Sequence, residues 1–376
     1  MLELFELGIG EGCFLLIIAL VGWLVGFFLF WKLRTLDSLD IKRESPRRTV
    51  SVIIPARNEE QNIGKLLESL SRQKRVPEEI IVVDDNSSDR TAEIASSYGV
   101  KLVTLKSDPP SGWIGKSWAC WNGYLESTGE ILLFLDSDVE LAPDALATVE
   151  AYLETHGGLV SAQPYHRMER LYERLSMVFN LIVVASLGDF KACSKESRGA
   201  FGPCMACYRS DYLKVGGHET IRGSVLDDLE LGKAFNRNGL PVNNTFGGKL
   251  IKFRMYPGGV KSILEGWGKN FAKGAGSTPP LTLILMILWI TGGFSVGLRL
   301  PFIVQHPEFL FGIVLYFAYA FQIYFYSRKI GSFSPVHALI FPVYFLFFFY
   351  TFFYSIVRTV FFKSVSWKGR DIDVGS

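Results

Sequence analysis

Acidic residues recur in this chain where they can act on a charged ligand. Asp84 and Asp85 close the apolar run Ile80-Ile81-Val82-Val83, and Asp136 and Asp138 close Ile131-Leu132-Leu133-Phe134-Leu135. Asp227 and Asp228 open Leu229-Glu230-Leu231-Gly232. Carboxylates one residue apart, as in Asp136-Ser137-Asp138, place oxygen ligands on a hard cation such as Mg²⁺ or Mn²⁺. Such an ion bridges to phosphate oxygens and stabilises a diphosphate leaving group. The chain has neither a GxGxxG turn nor a P-loop, so a bound diphosphate needs this other means of neutralisation.

The elements that must carry these residues follow from the hydrophobic pattern. Short apolar runs with β-branched residues, bounded by polar turns, predict buried parallel strands over 49–55, 79–83, 100–105 and 130–135. Between them lie helical stretches. The first follows the turn 56–60, where Asn58 is a candidate cap, and carries the stripe Ile63, Leu66, Leu67 and Leu70. A second starts from 85–89 with Ala92, Ile94 and Ala95 inward, a third covers 118–126, and a fourth over 143–155 begins at a proline. Alternation of strand and helix predicts an α/β fold with a parallel sheet. Ligands of open α/β sheets bind at the carboxyl ends of the strands, where the first two acidic pairs sit.

The 376 residues carry a net charge of +2, and aromatics make up 14%. The apolar runs 13–31, 281–298, 309–326 and 338–362 are each long enough to cross a bilayer with some tilt. The leader before the first is acidic and lacks a small-residue cleavage pattern, so an uncleaved anchor is expected. Lys32, Arg34, Lys42, Arg43, Arg47 and Arg48 follow it and mark the cytoplasmic side, leaving 57–280 cytoplasmic. Ser327-Arg328-Lys329 fits that orientation. Three trailing crossings would put the basic tail Trp367-Lys368-Gly369-Arg370 outside, so one segment is re-entrant or 338–362 is not a simple span. The expected organisation is an anchor over 1–34, a catalytic domain over 49–256, an interfacial segment over 257–280, a membrane region over 281–363 and a polar tail over 364–376. The cysteines suit a reducing compartment, and the lone Cys204-Met205-Ala206-Cys207 reads as packing rather than a zinc site.

Together Pro55-Ala56-Arg57-Asn58-Glu59-Glu60, Val82 to Asp89, Gly115-Lys116 and Asp136-Ser137-Asp138 resemble the successive motifs of family 2 glycosyltransferases, which are inverting enzymes with a GT-A fold. The resemblance runs from about residue 49 to 280. It implies that Pro55, Ala56, Glu59 and Asp85 line a uridine pocket and that Lys116 lies near the nucleotide-sugar. It further implies that Asp138 holds Mg²⁺ or Mn²⁺ on the diphosphate, with Asp136 beside it. Asn86 stands where the family usually has Gly, and Asn tolerates the left-handed backbone that such a turn needs.

Ser161-Ala162-Gln163-Pro164-Tyr165-His166, Ala200-Phe201-Gly202-Pro203, Gly216-Gly217-His218 and Phe253-Arg254-Met255-Tyr256 are similar to the subgroup of membrane enzymes that glycosylate carotenoid acids. Glu265-Gly266-Trp267, Gly274-Ala275-Gly276 and the terminal Trp367-Lys368-Gly369-Arg370 extend the match. Its layout is shared with ceramide-type and hopanoid-type glucosyltransferases: one leading span, a cytosolic catalytic domain, then trailing spans. Of the Q/R-x-x-R-W signature only Arg254 matches, with Ile251 and Met255 at the outer positions. Arg254 is a candidate diphosphate contact, and Trp267 and Lys269 are its rivals.

The family position of the catalytic base falls on Asp228, with Asp227 its neighbour. A hydroxyl acceptor needs a carboxylate to take its proton, whereas a carotenoid acid is already ionised in neutral water. Similarity therefore favours a hexose, in this family usually from a UDP-sugar, passed to a carotenoid acid as a glycosyl ester, while the intact acidic pair favours a lipid hydroxyl. A processive polysaccharide synthase would carry the full Q-x-x-R-W motif and more trailing spans. The segment 257–280, with Lys261, Trp267, Lys269, Phe271 and Lys273, suits the membrane interface and an apolar acceptor. His166 and His218 read as ordinary hydrogen-bonded residues.

Overall fold

The computed structural model describes residues 9–38, 47–192, 197–305, 307–362, 364–367 and 370–373, with side chains omitted at 9–13, 38, 269–277 and from 358 onward. Lys42, Arg43, Cys193, Lys368 and Gly369 lie outside the described residues, as do the side chains of Cys13, Lys269, Phe271, Lys273, Trp367 and Arg370 and the motif side chains of residues 274–276. The chain divides into two compact units. One comprises Arg34–Arg167 and Lys195–Met255, the other Met1–Leu33, Met168–Ser194 and Tyr256–Ser376. The expected uninterrupted domain over 49–256 is thus broken by 168–194. That insertion carries the helix Met177–Leu187, which is buried on nearly every side. A helix apolar all round finds its place inside a helical bundle, not on one face of a sheet.

The first unit is built on a seven-stranded sheet. Its parallel half consists of β1 (Val50–Ala56), β2 (Glu79–Asp84), β3 (Lys101–Thr104) and β4 (Ile131–Leu135). With β6 (Leu159–Gln163), β8 (Cys204–Tyr208) and β9 (Val242–Phe246) the strand order is β3-β2-β1-β4-β8-β6-β9. β8 runs antiparallel to both β4 and β6, while β6 and β9 are parallel. A small second sheet joins β5 (Val139–Leu141), β10 (Ile251–Phe253) and β7 (Tyr165–His166). Side chains alternate across the main sheet as a period of two demands. Ile131, Leu133 and Leu135 enter one core, with Val52, Ile54 and Leu146, and Leu132 and Phe134 enter the other, with Tyr212 and Phe235.

Two helix starts differ from expectation. The helix after β1 is Ile63–Ser71, so Asn58 does not cap it; Asn58 sits in the left-handed region at φ 52° instead. The helix Gly115–Leu125 begins earlier than 118, because Ile114 is extended and the chain turns helical at Gly115 despite that residue's low propensity. Lys116 therefore lies in its first turn. Asn86 is left-handed, at φ 54°.

The second unit is helical. Pro280–Phe302 and Phe309–Ile330 are long and apolar enough to cross a membrane, and Phe14–Leu29 and Phe341–Val357 are shorter apolar stretches. The run 338–362 is not one helix: Pro335–Leu339 ends before Ile340, and Phe341–Phe362 begins after it. The leading helix packs closely on the trailing ones through Gly22 and Gly26. A Cβ on Gly22 would lie 2.6 Å from the Leu288 carbonyl oxygen, and one on Gly26 2.7 Å from the Trp289 indole nitrogen. Gln322 donates to the Trp23 carbonyl at 2.7 Å and accepts from the Trp289 indole at 3.0 Å. Small residues spaced by four allow helix backbones to approach in this way, and the buried amide is then satisfied on both sides.

Candidate active site

The loop after β1 and the loop after β2 are stitched together. Parallel pairing puts Ala56 beside Asp84, and the Asp85 N–H donates to the Ala56 carbonyl at 2.8 Å. Arg57 donates to the Asp85 carbonyl at 2.6 Å, with its guanidinium 3.7 Å from the Asp85 carboxylate. The Asn58 side-chain carbonyl accepts the Ser88 N–H at 2.8 Å, and the Ser87 hydroxyl accepts the Asn58 N–H at 3.0 Å. Glu59 and Glu60 donate backbone N–H groups to Thr91 at 2.7 Å and Asp89 at 3.0 Å. Asp84 and Asp85 are buried where β2 ends. The two loops form a fixed rim that carries Glu59 and Asp85, with Pro55 and Ala56 closing β1 where the first loop begins.

The second acidic pair leaves β4 in a tight turn, with the Val139 N–H on the Asp136 carbonyl at 3.2 Å and the Asp136 N–H on the Pro203 carbonyl at 3.0 Å. Lys116 reaches this turn from its helix: its ammonium lies 2.7 Å from Asp136 Oδ1 and 3.9 Å from Asp227 Oδ2. Asp227 and Asp228 occupy the first turn of the helix Asp227–Arg237. Asp228 accepts the Gly202 N–H at 3.0 Å and its own helix's Leu229 N–H at 2.8 Å. One lysine thus ties the acid at the end of β4 to the acids that start this helix.

Burial and the adjacent Asp227 push the Asp228 carboxyl up to about 6, against the pull of Lys116. Burial opposes the Lys116 charge, yet the Asp136 and Asp227 carboxylates hold the ammonium well above its usual range. At neutral pH the arrangement holds an ionised carboxylate of raised basicity beside a fixed cation. Chemically it can take a proton on one side and bind an anion on the other.

Arg254 follows β10 in the same unit, half-buried. Trp267 belongs to the other unit and is only 6% exposed. Its ring stacks on Phe179 at 5.2 Å, meets Tyr256 edge-on, and its indole donates to Ser176 at 3.2 Å. His218 is buried against Phe134 and Tyr212, and burial, with Lys116, lowers it to about 3. His166 is likewise buried, against Phe253. Cys204 and Cys207 enter opposite cores, so they cannot share an ion, and burial pushes the Cys204 thiol up to about 12. Among the described residues, no cluster of three or more His, Cys, Asp or Glu is placed to hold a metal. A cleft of about 590 Å³ opens on the other side of the Asp227 helix, by Glu230, Ala234 and Arg237.

The backbone that receives Asp228 is not legible in the sequence. Gly202 lies in Ala200-Phe201-Gly202-Pro203, a motif noticed only as a likeness. A bare N–H leaves no trace in a side-chain pattern.

The model of the family described as Glycosyl transferase family 2 matches residues 51–215. A 4,4'-diaponeurosporenoate glycosyltransferase of Staphylococcus haemolyticus is 40% identical over 363 residues, covering 93% of this chain and 96% of that one. The chain belongs to glycosyl transferase family 2. Within it, the transferase falls in the subgroup of that relative. A second relative with the same name, from Staphylococcus aureus strain USA300, is 35% identical over 334 residues, with 87% of this chain and 89% of that one covered. The solved mannosyltransferase PcManGT from Pyrobaculum calidifontis, in complex with GDP-Man and Mn²⁺, shares 17% identity at a TM-score of 0.55, covering 93% of this chain and 99% of that chain. This likeness establishes the GT-A fold.

Proposed function

We propose that this glycosyltransferase moves a hexose, glucose from UDP-glucose being the first choice, onto an apolar carotenoid-type acid, with inversion at the anomeric carbon. The observation that carries the reading is the bridge made by Lys116 between Asp136 and Asp227, with Asp228 on the Gly202 N–H. The acceptor class comes from the names of the relatives.

In this reading Pro55, Ala56, Glu59 and Asp85 hold the uridine. Lys116 and Asp136 face the sugar diphosphate, and Arg254 neutralises a phosphate. Arg254 is preferred to Trp267, whose ring contacts Phe179 and Tyr256 and whose N–H is engaged. Asp138, with Asp136 beside it, would hold Mg²⁺ or Mn²⁺. The donor set fits: oxygen ligands, few in number, suit ions that keep waters and bind through substrate phosphates. The bound ion would supply Lewis-acid stabilisation of the departing diphosphate.

Transfer is a single displacement. The acceptor oxygen forms the new bond to the anomeric carbon as the bond to the diphosphate breaks, the nucleotide leaves with the electron pair, and Asp228 takes the acceptor proton. A base is useful even for an acid acceptor. A carboxyl held in apolar surroundings has a raised pKa and arrives protonated, and Asp228, itself near 6, is matched to receive that proton. The intact Asp227–Asp228 pair also supports a second reading, a lipid hydroxyl acceptor giving a glycoside.

The apolar helices Pro280–Phe302 and Phe309–Ile330 support a multi-pass protein of the cell membrane. Lys32 and Arg34 beside the first helix support a cytoplasmic catalytic unit. The test is to express the protein with 4,4'-diaponeurosporenoate or with a lipid alcohol, extract the lipids and look for a gain of one hexose mass. Hexose on neither acceptor would overturn the proposal, and base-labile product would identify the ester. Asp228→Asn should lower whichever transfer occurs about 1000-fold; undiminished transfer would remove Asp228 from the base role.

A further inference from the structure

The Asp227–Arg237 helix rests on residues 197–202 along a single stripe. Asp228, Gly232 and Asn236 are spaced by four, so they lie one above another on one helix face. Each meets that segment: Asp228 accepts the Gly202 N–H at 3.0 Å, Gly232 abuts Gly199, and Asn236 donates to the Ser197 carbonyl at 2.7 Å. The middle contact is backbone on backbone. A Cβ on Gly232 would lie 2.6 Å from the Gly199 carbonyl carbon and 2.8 Å from the Ala200 nitrogen, and one on Gly199 2.9 Å from Leu229 Cα.

The segment is itself fixed from behind. Asn244 of β9 donates to the Ser197 hydroxyl and the Gly199 carbonyl, both at 2.8 Å, and the Ser161 hydroxyl of β6 accepts the Phe201 N–H at 2.6 Å. Next comes Pro203, whose carbonyl receives the Asp136 N–H. The segment and Pro203 therefore contact Asp228 and the backbone of Asp136, next to the Asp136 and Asp227 carboxylates that Lys116 joins.

We propose that Gly232 and Gly199 are positioning residues: their close contact sets how deeply the helix seats, and so where the Asp228 carboxylate stands against the transferred sugar. The inference rests on the base role proposed for Asp228. A methyl group at Gly232 meets backbone at its nearest contacts, and one at Gly199 meets the Leu229 Cα as well as its side chain, so the helix must lift, the Gly202–Asp228 bond stretches and the carboxylate retreats from the acceptor. The loops that hold the uridine are not touched.

The experiment compares Gly232→Ala, Asn236→Ala and Asp228→Asn in the full-length, detergent-solubilised protein, with UDP-glucose, Mn²⁺ and 4,4'-diaponeurosporenoate. A misplacement near 1 Å is expected to lower kcat roughly 100-fold for Gly232→Ala, with the UDP-glucose KM within about twofold of wild type. Asn236→Ala, which removes only the far pin, should give the same split at about tenfold or less. Wild-type kcat in Gly232→Ala alongside an inactive Asp228→Asn would overturn the positioning inference and leave the base role standing. Full activity in Asp228→Asn would remove the base role itself. Should Gly232→Ala fail to fold, Asn236→Ala decides: unchanged kcat, or a raised donor KM, counts against the inference.

Discussion

The two sides of the proposed active site, one assigned to the nucleotide and one to the acceptor, are held by opposite means. On the nucleotide side, two loops are laced by hydrogen bonds between side chains and backbone, from Asn58 to Ser88 and from Glu59 to Thr91. On the acceptor side, position comes from the absence of side chains, with Gly199 against Gly232 and a bare Gly202 N–H on Asp228. Polar lacing tolerates loss of one link, because water can replace a missing partner at a partly exposed site. A backbone contact has no such reserve. The comparison predicts a graded donor side and an abrupt acceptor side.

The largest effect should come from the acceptor side. Asp228→Asn is expected to lower kcat about 1000-fold with the UDP-glucose KM unchanged, measured by steady-state transfer. The wild-type rate should fall as pH drops through about 6, where the Asp228 carboxylate gains its proton. The same raised value has a stability consequence of fixed sign. The unfolded chain ionises Asp228 more readily than the folded one, so its stability cost is present above that range and disappears as pH falls. Asp228→Asn should therefore raise the thermal midpoint at pH 8 by about 2 °C.

Lys116→Met comes next, because it removes the cation that lies between Asp136 and Asp227. A roughly 100-fold loss of kcat/KM is expected, with the acid limb of the pH profile moved upward since Lys116 holds Asp228 down. No movement of that limb would show that Lys116 serves the donor alone.

Smaller again is Asn58→Ala, which loses the Ser88 link and places a Cβ residue other than Asn at φ 52°. A rise of about five- to tenfold in the UDP-glucose KM is expected, with Asn58→Gly milder because glycine accepts that backbone. An effect on kcat instead would break the contrast between the two sides. Cys204→Ala should do least, costing roughly 1 kcal/mol of stability by denaturation with no change in kcat or in sensitivity to zinc chelators.

Legibility in the sequence divides along the same line. The parallel strands, the acidic residues at their ends and the left-handed Asn86 were all readable, because strand periodicity and turn chemistry are written in side chains. Asn58 has the look of a cap in sequence alone, because its link to Ser88 joins residues 30 apart. The insertion of 168–194 into the other unit was not legible either. An apolar helix of 11 residues has the same composition whether it covers a sheet or fills a bundle. The glycines behind Asp228 were the least visible, since what matters there is which backbone comes near, and a single sequence does not record distance.

The leading helix has a consequence in time. Its polar partner Gln322 lies 299 residues beyond Trp23, so the helix leaves the ribosome long before that partner does. At a synthesis rate of 5–20 residues per second, the helix waits about 15–60 s with its Gly22 and Gly26 face uncovered. During that interval any other helix with small residues is a competitor for the same groove. Replacing this helix with a generic apolar one would leave Gln322 without the Trp23 carbonyl in its intended place and open the contact between Gly26 and the Trp289 indole.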